Sequence, residues 1–177
     1  MLKTLVIGAT NFDIFVHTRS DYVLHDSNPA KIRSAIGGVG CNIAVNLALL
    51  GNDISLITAF GNDIFGKLTE KHLHSLTIDT SNSFKDNSKG SSIYLGIMNK
   101  ENDLFLGLND MEIINSLNID YFSKKRTYIE LFDVLVIDNN LAYDTLEYLL
   151  KTYNDKLIIS DAVSAKKANK LKDLLKY

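Results

Sequence analysis

The residues best placed to do chemistry form one short run, Gly37-Gly38-Val39-Gly40-Cys41-Asn42. Three glycines in four positions let the backbone turn tightly and let a ligand come close, because no Cβ stands in the way. The apolar run Ile43 to Leu50 then predicts a helix buried on most sides, with Asn42 as its N-cap and Gly51 as its C′ stop. A glycine loop that opens a helix leaves free N–H groups at the positive end of the dipole, which suits an anion or a polar ligand. The same residues also serve as a plain strand-to-helix turn. Asp13 is the second candidate. It sits inside the apolar run Phe12 to His17, where a carboxylate is costly unless it is paired or functional. Cys41, beside the helix start, is placed for a lowered thiol pKa, but no histidine lies near it in sequence, so it does not read as a nucleophile.

Two further patterns carry less. Gly61-Asn62-Asp63-Ile64-Phe65-Gly66-Lys67-Leu68 almost matches a phosphate loop, but the position after the lysine must be Ser or Thr to hold magnesium, and here it is Leu68. Asp63 would also place a negative charge where phosphates belong. It reads better as a helix cap. His72 and His74 are two apart on a predicted helix, face different ways, and read as solvated surface rather than a metal pair.

The elements that must position these residues alternate between strand and helix. Thr4 to Gly8, Ile54 to Phe60, Asp133 to Asp138 and Lys156 to Ser160 are apolar runs of buried-strand type. Helices are predicted after the glycines, over Phe65 to Leu76, over Leu141 to Tyr153, and from Ser164 to Leu175 with Ser164 as cap. Two excursions interrupt this pattern. Strands over 12–17 and 31–36 flank a turn at Asp26-Ser27-Asn28-Pro29, and after a polar linker over 81–91, strands over 92–98 and 104–108 form a hairpin. Alternating buried strands and helices predict an α/β fold with a doubly wound, mostly parallel sheet, and the excursions (about 12–36 and 91–110) pair as a small β lid over its edge. Ligands in such folds sit beyond the carboxyl ends of the strands. Asn11, Gly38, Asn42, Asp138 and Asp161 all fall there or at a helix start.

Composition bounds the function. At 177 residues, 46% hydrophobic and 23% charged, the chain suits one soluble domain with a sizeable core. A net charge of -2 gives no electrostatic reason to expect nucleic acid or an anionic membrane as partner. No apolar run is long enough to span a bilayer, and Met1 to Gly8 reads as a strand rather than a signal peptide. The single cysteine excludes an internal disulfide and suits a reducing, cytoplasmic setting.

The run Gly37-Gly38-Val39-Gly40-Cys41-Asn42-Ile43-Ala44, with Leu47 to Gly51 and Gly61 to Gly66, resembles the first signature of the PfkB, or ribokinase-like, sugar and nucleoside kinases. Gly8-Ala9-Thr10-Asn11-Phe12-Asp13 is similar to that family's first strand and its substrate-binding Asn-x-Asp. Ser27-Asn28-Pro29, Ile32-Arg33, Asp110-Met111, Asp138-x-Asn140 and Asp161-x-Val163-Ser164-x-x-Lys167-Ala168 resemble the pseudouridine kinase branch. The resemblance implies a Rossmann-like domain with a β lid that often dimerises. It implies ATP-dependent transfer of a phosphoryl group, with Mg2+, to the 5′-hydroxyl of a ribose-bearing substrate, with pseudouridine foremost and another sugar or nucleoside as the alternative. By position, Asn11 and Asp13 would hold ribose hydroxyls and Gly37, Gly38 and Asn42 would line the sugar site. Asp138 to Asn140 would close it, and Ser164 and Lys167 would sit near the base or the phosphate path. Val39 departs from many sugar-kinase relatives, which carry lysine there.

The resemblance also implies that the family's second signature, with its anion hole and catalytic aspartate, and its Asn-x-x-Glu magnesium motif lie beyond this length. No Gly-Ala-Gly-Asp occurs in the chain. The expectation is a single, truncated ribokinase-like domain over 1–177 that holds no catalytic or metal residue of its own and is inactive alone. A non-catalytic binding or dimerisation module is the competing reading. A nicotinamide-binding domain is disfavoured, because Gly8-Ala9-Thr10-Asn11 lacks Gly-x-Gly-x-x-Gly.

Overall fold

The computed structural model describes residues 2–176 of the chain. In chain order its strands are β1 (Thr4–Ile7), β2 (Asn11–Thr18), β3 (Ala30–Gly37), β4 (Ile54–Ile57), β5 (Ala59–Gly61), β6 (Phe84–Asp86), β7 (Ile93–Met98), β8 (Leu104–Asp110), β9 (Val134–Asp138) and β10 (Leu157–Asp161). The helices are α1 (Val39–Leu49), α2 (Ile64–Ser75), α3 (Ile119–Lys124), α4 (Arg126–Ile129), α5 (Tyr143–Thr152) and α6 (Ala165–Ala168), with a 3-10 turn at Glu112–Ser116.

The main sheet is parallel throughout, in the order β10-β9-β1-β4. Successive residues of its inner strands face opposite ways. Leu5, Ile7, Leu135 and Ile137 join a core with Phe122, Ile129, Leu146 and Leu149. Val6, Val134 and Val136 join another with Cys41, Ala44 and Leu73. Thus α3, α4 and α5 cover one face, and α1 and α2 the other. Burial on both faces is why β1 and β9 read as unbroken apolar runs instead of alternating ones.

The two excursions form a second sheet, β3-β2-β7-β8. β2 runs antiparallel to β3 from Asn11↔Gly37 to Thr18↔Ala30, and parallel to β7 from Phe12↔Ile93 to His17↔Met98. One face of this lid rests on α2, where the rings of Phe12 and Phe65 lie 4.9 Å apart. The other looks toward the carboxyl ends of the main sheet. This is the α/β layout with a small β lid that the sequence predicts.

Several elements depart from expectation. α1 starts four residues early: Gly38 is its N-cap, and Asn42 lies inside the helix with its amide bonded to the Gly38 carbonyl. Gly38 makes this possible by taking φ +91°, a left-handed value that L side chains resist. Gly51 closes the helix at φ +85°, as expected. α1 is not buried on most sides, since only Gly40, Cys41 and Ala44 are, and Leu49 and Leu50 stand in solvent. The run Ile54 to Phe60 splits into β4 and β5 at Thr58, whose amide donates to the Ser83 hydroxyl instead of a ladder partner. The polar linker contains β6, paired in parallel with β5. The closing helix ends at Ala168 and continues as turns.

Candidate functional site

At the end of β1 the chain is knotted around one carboxylate. Asp138 is fully buried at the last position of β9. Its Oδ2 accepts the amides of Ala9 and Gly40, both at 2.8 Å, and its Oδ1 accepts the Asn140 amide at 2.9 Å. Gly8 and Gly40 allow this closeness: a Cβ on Gly8 would lie 2.5 Å from Asp138 Oδ2, and one on Gly40 would lie 2.7 Å from the Gly8 backbone. Burial pushes the Asp138 carboxyl up, against the opposing pull of these amides. The anion expected at the start of α1 is therefore supplied from within. Gly40 N is held by Asp138, and Cys41 N by the Ala9 carbonyl at 3.1 Å. Asp138 forms the floor of the site and is absent from its lining.

Above this floor lies an open cleft of about 280 Å³, lined by Asn11, Asp13, Gly38, Asn42, Asn140 and Lys167 among others. β2 brings Asn11 and Asp13 to one face because they are two apart. Gly37 sits against Asp13 so closely that a Cβ would come 2.2 Å from its Oδ2. Asn11 Oδ1 and Asp13 Oδ1 are buried and have no hydrogen-bond partner. Burial raises the Asp13 pKa. Across the cleft the Lys167 ammonium donates to Asn140 Oδ1. Lys170 clamps the same loop through the Leu141 carbonyl at 2.9 Å, and burial followed by the nearby Lys167 charge holds its pKa down. Ser164 does not reach the cleft. It is exposed and caps α6, its hydroxyl accepting the Lys167 amide at 3.3 Å.

Two sequence readings of reactivity change. The Cys41 thiol is not activated: burial, then the charge of Asp13, pushes it up to about 12. Asp63 caps α2 as expected, accepting the Gly66 amide at 2.8 Å. It also takes the Ser91 amide at 2.6 Å and the Ser91 hydroxyl at 2.8 Å. The Gly66 amide is thus occupied and a carboxylate stands in the loop, so the segment does not fit a triphosphate. Among the described residues no three His, Cys, Asp or Glu side chains converge to hold a metal.

The cleft has apolar walls to which the sequence reading assigned no role: Phe15, Val39, Tyr94, Met111 and Val163. Phe15 was legible from its spacing, two beyond Asp13. Tyr94 needed the register of β7. Val163 has φ +63°, strained for a β-branched residue, a conformation that no local pattern signals. Larger hollows exist, such as the 610 Å³ one lined by Phe84, Lys89 and Tyr121. The cleft under the lid joins unpartnered buried acceptors to an ammonium group.

With this geometry in hand, comparison with known proteins is decisive. The model of the pfkB family carbohydrate kinases matches residues 1–177. The chain belongs to this family. It is 32% identical over 173 residues to the pseudouridine kinase of Escherichia coli K12, a match covering 97% of this chain and 55% of that protein. It is 28% identical over 152 residues to the guanosine-inosine kinase of Exiguobacterium acetylicum, covering 85% of this chain and 50% of the other. A solved carbohydrate kinase from Agrobacterium tumefaciens superposes with a TM-score of 0.88 at 27% identity, over 97% of this chain and 57% of that one. The chain thus spans about half the length of the curated relatives it matches.

Proposed function

We propose that this pfkB-family chain binds the acceptor of an ATP- and Mg2+-dependent kinase, holding a ribose-bearing substrate, pseudouridine foremost, whose 5′-hydroxyl receives the phosphoryl group. The observation that carries this reading is the pair of buried, unpartnered oxygens of Asn11 and Asp13 in one cleft. A buried acceptor without a donor is costly, and the vicinal hydroxyls of a ribose supply two donors at adjacent positions. Bonds to the carboxylate are charge-assisted and so roughly twice as strong as neutral ones. Gly37 and Gly38 let the sugar approach the backbone, and Asn42, Asn140 and Lys167 add polar contacts around it. Asp138 and Ser164 act one step back, Asp138 by fixing the floor and Ser164 by starting α6, which carries Lys167. No step can be drawn through the nucleotide or the metal from these residues. The 32% identity to a pseudouridine kinase supports the choice of nucleoside.

Isothermal titration with pseudouridine, uridine and ribose tests the reading, with circular dichroism confirming the fold. Saturable pseudouridine binding that Asp13→Ala abolishes is the expected result. A folded chain that binds none of the three refutes it. A second role is favoured by β8, which is exposed along its whole length and carries Leu104, Phe105, Leu106 and Leu108 at 43–60% exposure. Such an apolar edge fits pairing of two lids in a homodimer. Light scattering of wild type against Phe105→Lys reads this directly, and a monomeric wild type would exclude it.

A further inference from the structure

The register of the lid places more than Asp13 on its inner face. Opposite Asp13 stand Ala35 and Tyr94; one row outward, opposite Phe15, stand Arg33 and Gly96. Rows two residues apart are separated by about 7 Å along the strand. Phe15 and Tyr94 both line the cleft, their rings edge to face with centroids 6.1 Å apart. Their seats are cut by glycines. A Cβ on Gly96 would lie 3.0 Å from the Phe15 ring, and one on Gly107 would lie 2.8 Å from the Tyr94 hydroxyl. Arg33 completes this row at the rim, outside the cleft's own lining, where it faces an open hollow with His17, Lys31 and Asn102. Among the described residues it has no ion-pair or hydrogen-bond partner, whereas His17 in the next row is engaged with Asn102 at 3.2 Å. Beside the polar sugar pocket there is therefore an apolar, aromatic shelf, with an unpaired guanidinium at its outer edge.

We infer that this shelf is a base subsite in which Phe15 and Tyr94 pack against a planar pyrimidine and Arg33 donates to a carbonyl oxygen of a pyrimidine-2,4-dione. The inference rests on the acceptor reading above and adds which residues choose the base. A guanidinium offers only donors, so it favours a ring edge that presents a carbonyl over one that presents an amino group. Uracil-type bases carry two carbonyls; cytosine replaces one of them by an amino group. Arg33 thus selects uridine-like nucleosides, whereas Asp13 and Asn11 hold the sugar whatever the base.

Titrations of wild type, Arg33→Ala, Arg33→Gln and Asp13→Ala with ribose, uridine, pseudouridine and cytidine test this. Arg33 is exposed on an edge strand, so its variants are expected to stay folded. Arg33→Ala should weaken uridine and pseudouridine about tenfold, the effect of losing one charge-assisted bond at a partly solvated site, with ribose unchanged and the preference over cytidine lost. Arg33→Gln, which keeps a donor, should recover part of the affinity. Phe15→Leu should weaken all nucleosides without affecting ribose. If ribose binds and Arg33→Ala leaves uridine untouched, or weakens ribose equally, the base subsite is refuted and the sugar site stands. If the folded wild type binds neither ribose nor any nucleoside, the acceptor reading fails, and this inference with it.

Discussion

Asp63 offers the sharpest test of how the lid is fastened. Its carboxylate joins the start of α2 to Ser91, where the chain turns into β7, through the Gly66 amide and both donors of Ser91. Asp63→Ala removes a helix cap, typically about 0.5–2 kcal/mol. It also strips a nearly buried Ser91 amide of its acceptor, about 1–3 kcal/mol. Because Asp63 itself is partly solvated, the sum should fall at about 2–4 kcal/mol, and a chain of this size should lose about 5–15 °C in Tm. Urea unfolding followed by far-ultraviolet circular dichroism and tyrosine fluorescence measures it. The pH dependence gives a second check. Burial pushes the Asp63 carboxyl up, but the Ser91 and Gly66 bonds outweigh it and hold the pKa below the usual carboxylate range. A depressed folded pKa means the stabilisation is complete above the ordinary carboxylate pKa and is lost as pH falls through the lower, folded value. The gap between wild type and Asp63→Ala should therefore close in acid and be constant from about pH 5 upward. A loss under 0.5 kcal/mol, or a gap that does not close, refutes the reasoning. Improved nucleotide affinity in the variant would instead revive the phosphate-loop reading.

Other expectations follow from the cleft. Gly37→Ala should leave the Tm within a few degrees of wild type yet abolish ribose or nucleoside binding, because the new Cβ displaces the Asp13 carboxylate rather than backbone; equal affinity by titration would contradict this. Burial raises the Asp13 pKa, so ligand affinity should fall with acid at a midpoint above the usual carboxylate range, and Asp13→Asn should remove that dependence. The same raised pKa costs stability as pH climbs through the folded value, so Asp13→Asn should also unfold at higher temperature than wild type at neutral pH. Val163→Gly should relieve a left-handed backbone and raise stability by about 1 kcal/mol, read as a Tm rise of roughly 2–4 °C; a fall would show that the side chain's packing outweighs the strain.

What the sequence disclosed followed from how local each signal is. β1 and β9 announced themselves because burial on both faces demands consecutive apolar residues. Asp63 announced its cap because the bond spans three residues. The pairing of β2 with β7 joins segments some eighty residues apart and rested on pattern alone, yet it emerged because each excursion needed a partner. The helices over 119–129 escaped notice because they are short and their apolar residues too few to set a period. Asp138 was legible as a strand-end carboxylate, but its partners, Ala9 and Gly40, lie about 130 and 98 positions away, so its structural task could not be read locally. Asn42 misled for a related reason. Asparagine favours caps, but Gly38, free to take a left-handed turn, let the helix begin sooner.

The close contact between Gly38 and the β1–β2 turn has a practical consequence. A Cβ there would lie 2.5 Å from the Ala9 carbonyl, so the β3–α1 turn and the β1–β2 turn touch backbone to backbone at the rear of the cleft. At the mouth, β3 and β8 stand free in solvent. The cleft works as a jaw with a fixed back and an open front. On the proposed reading the sugar lies at the back and must fit closely. A group projecting past Arg33 enters an open hollow that Arg33 lines with His17, Lys31 and Asn102. Affinity resins and fluorescent reporters for this protein should therefore be tethered through the base, since a linker on the ribose would be wedged where the jaw cannot widen.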